Sequence, residues 1–192
     1  MPLLTDPVLA SGTLANLPHP VLTGDGLTLR PWLPADAPAV RAAYADPGIQ
    51  RWHARSMTAP EARAWITSWP ARWAQESGAG WAVTDDSGLL GQISLRRLHL
   101  AEAFAEISYW VLPAARGRRV ATRALATLTA WCFDELGMHR LEIEHSTLNA
   151  ASCGVAVAAG FPVEGTKRGG ALHADGWHDM HLHARLAGDV PK

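Results

Sequence analysis

Three arginines crowd around one glycine in "VLPAARGRRVATRAL", residues 111–125. An apolar run precedes them, and small residues and leucines at helical spacing follow. A strand that hands over to a helix across a basic glycine loop makes an anion site, because first-turn amides lack partners and the helix dipole adds positive charge. Gly117 lets the backbone approach closely. Arg116, Arg118 and Arg119 supply fixed charge suited to phosphate oxygens. The GK[ST] ending and the lysine of a P-loop are missing, so a cofactor's pyrophosphate fits better than a transferred phosphoryl group. The plainer alternative is a solvated basic helix start. Just upstream, in "AFAEISYWVL", strand alternation puts Phe104, Glu106, Ser108 and Trp110 on one face and Ala105, Ile107, Tyr109 and Val111 on the other. A carboxylate between Phe104 and Trp110 would be desolvated, its pKa raised towards a range useful to a general base. Otherwise Glu106 is a glutamate facing solvent.

These residues need elements to hold them. Residues 1–20 carry four prolines and little periodicity, and read as an arm on the surface. "VLTGDGLTLRPW" reads as a first strand or hairpin, "LPADAPAVRAAYAD" as a short helix, and "DPGIQRWHARS" as a loop. "TAPEARAWITSWPARWAQES" is helical, with Thr58 as cap, Pro60 in the first turn and Glu61 at capping-box spacing. Pro70 should kink or divide it. "GWAVTD", "LLGQISLRRL" and "AFAEISYWVL" are strands, and a long helix follows Arg116 and ends at Gly137. "HRLEIEHS" is a strand, and "NAASCGVAVAAG" a helix from Asn149 to Gly160. "FPVEGTKRGG" and "GWHDMHLHARL" close the chain as paired strands. The order is α+β, with seven strands in a mixed, mostly antiparallel sheet and about four helices. One domain spans 21–187, with a tail at 188–192.

Several of these segments resemble one family. "ARGRRVATRAL" is similar to the acetyl-CoA loop of the GNAT N-acetyltransferases, Q/R-x-x-G-x-G/A, with Arg116 first, Ala121 last, and Arg119 where the family has its central glycine. "NAASCGVAVAAGF" resembles the family's N-x-x-[AS] helix ending in Gly-Phe. "FAEISYWVLP" resembles the strand before the loop, and "DGWHDMHLHARL" the final strand of the RimJ/RimL branch, which acetylates α-amino groups. The resemblance covers about residues 21–187.

It implies a GNAT fold whose fourth and fifth strands splay, with pantetheine in the gap and pyrophosphate on the amides of Arg118, Arg119, Val120, Ala121 and Thr122. Trp110, Val111, Leu112, Arg116, Gly117 and Asn149 complete the implied cofactor contacts. Asn149 is equally a plain N-cap. The family's usual acid, a tyrosine seven positions beyond Asn149, is replaced by Ala156. Ser152 stands where the RimL-like branch has a serine proposed to protonate the thiolate, and counts among both the catalytic and the cofactor-binding candidates. The resemblance also implies a general base, because a glutamate in this strand plays that part in some acetyltransferases.

The early helices form the acceptor wall in this family, which makes Trp52, His53, Arg55 and Trp65 substrate candidates, with Trp69 and Trp73 reading as core. His145, in phase with Leu141 and Ile143, is either a tucked sheet histidine or a proton relay near the acetyl group, and is held with the substrate group. His173, His178, His181 and His183 cluster with Asp175 and Asp179, but no standard zinc spacing is present. No metal is expected, and a polar outer strand face is.

The bulk numbers limit the alternatives. The 192 residues suit one domain, and 48% hydrophobic with 18% charged content is globular. A formal net charge of −1 argues against a nucleic-acid binder. Two cysteines cannot make a disulfide framework and read as reduced thiols. The N-terminus has no basic n-region and no apolar run reaches membrane-span length, so a cytoplasmic protein without membrane contact is expected, as monomer or homodimer. The expected activity is acetyl-CoA-dependent transfer to a primary amine, foremost an α-amino group of a protein or peptide. One rival is a self-protection enzyme acting on an antibiotic amine, and another is a CoA-binding sensor without turnover. A metal-binding hairpin protein is a third.

Overall fold

A computed structural model describes residues 4–189. The first three residues of the arm and positions 190–192 of the tail lie outside that range. The sheet has eight strands rather than seven, because the first strand region is a hairpin: β1 (Leu22–Gly24) and β2 (Leu27–Pro31) fold back across Asp25 and Gly26, both at positive φ. β3 (Ala79–Asp85), β4 (Gly88–His99) and β5 (Phe104–Val111) continue the antiparallel run. β6 (Arg140–Ser146) joins β5 in parallel, and β7 (Val163–His173) and β8 (Gly176–Leu186) close the sheet in the order β1-β2-β3-β4-β5-β6-β8-β7.

Among the described residues five α-helices are present instead of about four. α1 (Ala37–Ala43) and α3 (Ala59–Ala74) stand where helices were expected. The addition is α2 (Pro47–His53), in the stretch read as a loop. Its cause is local: the Asp46 carboxylate accepts from the Ile49 amide at 3.0 Å, and Pro47 pre-sets the first turn. α3 starts with the capping box formed by Thr58 and Glu61 and runs through Pro70 undivided. α4 (Val120–Ala130) continues into a π-turn at Trp131–Glu135, and α5 (Ala150–Ala158) follows β6.

Strand alternation sorts the core into two clusters, one on each face of the sheet. Trp81, Ile93, Leu95, Ala105, Ile107, Leu141 and Ile143 pack with α4 and α5 residues such as Leu125, Leu128 and Ala156. Ala82 and Trp110 pack with Trp32, Val40, Tyr44, Ile66 and Trp69 from the α1–α3 side. On this second face β4 and β5 also bury a polar stripe, Gln92, Ser94 and Glu106.

The N-terminal segment adds to the first cluster. Leu14 is fully buried, and the Glu76 carboxylate accepts from the amides of Gly12 and Leu14 at 2.8 and 2.7 Å. Trp73 and Trp81 donate their indole N–H to the carbonyls of Leu17 and Pro20.

Candidate active site

β5 and β6 share register only over Phe104–Arg140, Ala105–Leu141 and Glu106–Glu142. Beyond Glu106 the two strands diverge, leaving a notch in the sheet. Two cavities meet there. One, of about 500 Å³, lies between the polar stripe and the α1–α3 side, and its lining includes Glu106. The other, of about 450 Å³, lies against the start of α4. Trp52, His53, Tyr109, Asn149 and Ser152 line both.

The second cavity is walled by Trp110, Val111, Arg116 and Gly117, then by Arg119, Val120, Ala121 and Thr122. Val120, Ala121 and Thr122 open α4, and no side chain caps this end. Their amides are the ones a helix leaves unpaired. Arg119, at the position of the family's central glycine, sits at φ +56°, the left-handed conformation that favours glycine, and Gly117 sits at +76°. The arginine therefore keeps the glycine's backbone shape and adds a guanidinium. Arg116 donates to Asp46 at 2.6 Å, tying the loop to the cap of α2. Arg118 turns away to Asp85, also at 2.6 Å. Neither Arg118 nor Leu112, which packs with the α1–α3 cluster, lines the cavity.

Glu106 is buried on the floor of the first cavity, paired in register with Arg96. Burial pushes its carboxyl above the ordinary range; Arg97 and Arg96 pull it back, and Glu144 and Glu142 push it up again. The Arg97 guanidinium lies 3.1 Å from its Oε2. Arg97 reaches that point because β4 bulges between Arg96 and His99, placing Arg97 at φ +44°.

On the opposite wall Asn149 caps α5 by accepting from the Ser152 amide at 3.1 Å. The Ser152 hydroxyl meets the Tyr109 phenol at 2.8 Å. That phenol crosses the notch from β5 to α5, and burial pushes its pKa up to about 12. Sequence reasoning passed over Tyr109. The usable signal was its parity, which aims it at the α5 face.

The acceptor candidates divide. Trp52, His53 and Arg55 line the 500 Å³ cavity beside Glu106. Burial lowers the His53 pKa to about 4, so the ring is neutral at pH 7, and its Nε2 donates to the Tyr109 carbonyl at 3.2 Å. Trp65 touches the same cavity, but its ring packs edge-on against Trp32 and Trp69. Trp69 and Trp73 are buried. His145 is buried at the cavity's edge.

The remaining histidines are not a polar outer face. His173, His178 and His183 are buried, and they separate by side of the sheet. His173 stacks on His178 at 4.2 Å, and His178 bonds Ser146 and Asp175. His183 instead meets His145 below α5.

A split parallel pair thus carries an uncapped helix start at its mouth and a buried carboxylate on its floor. The sequence matches the family model described as an acetyltransferase (GNAT) domain over residues 26–162. The chain belongs to the GNAT acetyltransferase family, and its relatives lie on the RimJ/RimL-like side of it. It is 33% identical over 113 residues to YdaF of Bacillus subtilis (strain 168), whose name assigns it provisionally to ribosomal N-acetylation. That match covers 59% of this chain and 61% of that protein. It is 30% identical to the ribosomal-protein-serine acetyltransferase of Escherichia coli (strain K12), over 54% of this chain and 58% of that one. The chain thus spans about three fifths of these two relatives. Mycobacterium smegmatis RimJ, solved with CoA-disulfide, superposes with a TM-score of 0.79 at 25% identity, covering 90% and 88% of the two chains.

Proposed function

We propose that this protein is an acetyl-CoA-dependent N-acetyltransferase whose acceptor is a primary amine, foremost the α-amino group of a protein or peptide. The observation that carries the reading is the notch between β5 and β6. It joins an uncapped helix start, fit for a pyrophosphate, to a cavity floored by one buried carboxylate. The names of the relatives, two of them referring to ribosomal acetylation, support the acceptor class. Residues 21–187 form the catalytic unit in this reading.

The amides of Val120, Ala121 and Thr122, with Arg116 and Arg119, hold the pyrophosphate. Trp110 and Val111 flank the pantetheine, and Asn149 offers it the amide nitrogen left free by capping. Glu106 takes the proton from the incoming ammonium. The freed amine attacks the thioester carbonyl carbon, the carbon–sulfur bond breaks, and the departing sulfur receives a proton from the hydroxyl pair of Ser152 and Tyr109, which is restored by the proton that the new amide nitrogen sheds. Trp52, His53 and Arg55 shape the acceptor side.

The test follows release of free CoA thiol from acetyl-CoA with three amine sets: peptides with free α-amines, the same peptides blocked at the N-terminus but carrying lysine, and antibiotic amines. Turnover confined to free α-amines is expected. Turnover only on the antibiotic amines would move the acceptor to small molecules. CoA binding without turnover on any set would leave a sensor.

A further inference from the structure

Beneath α5, on the face of the sheet away from Glu106, four side chains converge. We propose that His145, His181, His183 and Cys153 form a binding site for a divalent transition metal of the zinc class. One ligand atom from each lies within 4.8 Å of all the others. They come from three elements: β6 gives His145, β8 gives His181 and His183, and α5 gives Cys153. The pleat explains the convergence. His145 pairs with His181 and Ile143 with His183 in register, so all three rings leave the sheet on one side.

Hydrogen-bond accounting turns proximity into a site. A carbonyl oxygen only accepts. His145 Nδ1 lies 2.8 Å from the Ser146 carbonyl and His183 Nδ1 lies 2.9 Å from the Phe161 carbonyl, so both Nδ1 atoms carry the proton. In the neutral rings both Nε2 atoms then present lone pairs, and they face one another at 3.0 Å. Two bare lone pairs at that distance repel, and both rings are buried. Something positive belongs between them. A shared proton would satisfy these two nitrogens alone. It would leave the buried Nδ1 of His181 without a partner among the described residues, and would give the Cys153 thiol no part. A metal ion engages all four residues.

A metal-bound histidine characteristically donates its second ring N–H to a carbonyl or carboxylate, which fixes its tautomer. His145 and His183 already do so. Three imidazoles and one thiolate match zinc's preference for nitrogen and sulfur ligands, with Zn–N near 2.0–2.1 Å and Zn–S near 2.3 Å. A tetrahedron of that size needs its ligand atoms roughly 3.3–3.7 Å apart, so on loading the two Nε2 atoms at 3.0 Å part slightly and the wider spacings, which reach no more than 4.8 Å, draw in to that range. Cys153 binds as thiolate and releases its proton to solvent. Four protein ligands leave no open position, which makes the site structural. It fastens α5, the helix of Ser152 and its Asn149 cap, to β6 and β8 on the far side of the notch.

The experiment measures metal content in protein made without a histidine tag, then cobalt(II) uptake by chelator-treated protein. About one equivalent of zinc per chain is expected, together with a tetrahedral cobalt spectrum that carries a thiolate charge-transfer band. Cys153→Ser should abolish that band. His183 is fully buried and its loss can unfold the chain, so the half-buried pair carries the test: the double variant Cys153→Ser/His181→Asn should stay folded by circular dichroism and lose the bound metal. Wild-type uptake no greater than that of the double variant, or cobalt bound without a thiolate band, overturns the proposal. So does a nitrogen-15 spectrum of zinc-treated protein in which His145 and His183 share a proton. None of these readouts depends on acetyl transfer, so the site and the activity stand or fall separately.

Discussion

Glu106 carries the sharpest residue-level expectations. Glu106→Gln keeps the shape and removes the proton acceptor, so turnover should fall by about 10²–10⁴-fold while affinity for acetyl-CoA holds. The sign of the pH dependence follows from burial, the leading cause of its shift. A base works deprotonated, so activity is lost as pH falls through a pKa lying above the ordinary carboxylate value, and the variant should lack that acidic limb. Arg97→Ala removes the guanidinium 3.1 Å away, which favours the charged form. Its acidic limb should therefore move to higher pH. Rate profiles of the three proteins decide the matter, and a limb unmoved in both variants would assign it to another group. The alternation of "AFAEISYWVL" made the position of Glu106 on its strand legible. Arg97 was not, because its reach depends on a bulge and a left-handed residue that no local pattern announces. Arg119 was read as a departure from the family pattern, and its backbone shows how the chain tolerates it. Arg119→Gly relieves a left-handed side chain, worth roughly 1–2 kcal/mol, against a glycine entropy cost of about 0.5–1 kcal/mol. Stability should hold or rise, by at most about 1.5 kcal/mol, and calorimetric affinity for CoA should drop through the lost guanidinium; unchanged affinity would place Arg119 outside the contact.

At the scale of elements, α3 shows what short-range chemistry writes into a sequence. Its Thr58–Glu61 box was readable from spacing and is present, with Glu61 Oε2 accepting from the Thr58 amide at 2.7 Å. Thr58→Ala should cost about 1 kcal/mol, visible as a lower denaturant midpoint with an unchanged slope; no shift would mean the cap is redundant. α2 escaped because its one strong signal, Asp46 before Pro47, resembles an ordinary turn. Its ties to the rest of the protein are long-range: buried Ile49, the His53 bond to the Tyr109 carbonyl, and Arg116, seventy positions away. The extra strand has a similar origin: this stretch was read as a first strand or a hairpin, and the turn at Asp25-Gly26 makes it the hairpin. The notch belongs to neither kind of signal. Nothing within β5 or β6 says that their pairing stops after Glu106, since divergence is set by what lies on both sides of the sheet. It was expected only through the resemblance. The histidines of β8 were misplaced for the same reason. Alternation gave their faces, but burial depends on β7 pairing alongside β8 and on what packs against each face of the sheet.

At the scale of the whole molecule, the N-terminal segment joins the fold through a histidine that should make stability depend on pH. His19 stacks on Trp73 at 4.5 Å and meets the edge of Trp81 at 4.7 Å, and its buried Nε2 has no hydrogen-bond partner among the described residues. Burial lowers its pKa from 6.5 to about 4. The folded protein therefore resists a proton that the unfolded chain takes up near pH 6.5. Stability from this group is fully present above 6.5 and is lost as pH falls towards about 4. His53 shifts in the same direction and adds to the slope. His19→Phe retains an aromatic ring against Trp73 and removes the titration. Thermal midpoints measured between pH 7 and pH 4 should fall for both proteins, because His53 remains, but less steeply for the variant. The gap should open as pH drops below about 6.5. Loss of the segment's contacts should accompany the wild-type decline, seen as amide exchange rising first at Gly12 and Leu14, whose N–H groups bond Glu76. Parallel midpoint curves for the two proteins would show that His19 titrates alike in the folded and unfolded states, and that the segment's packing takes no part in the acid sensitivity.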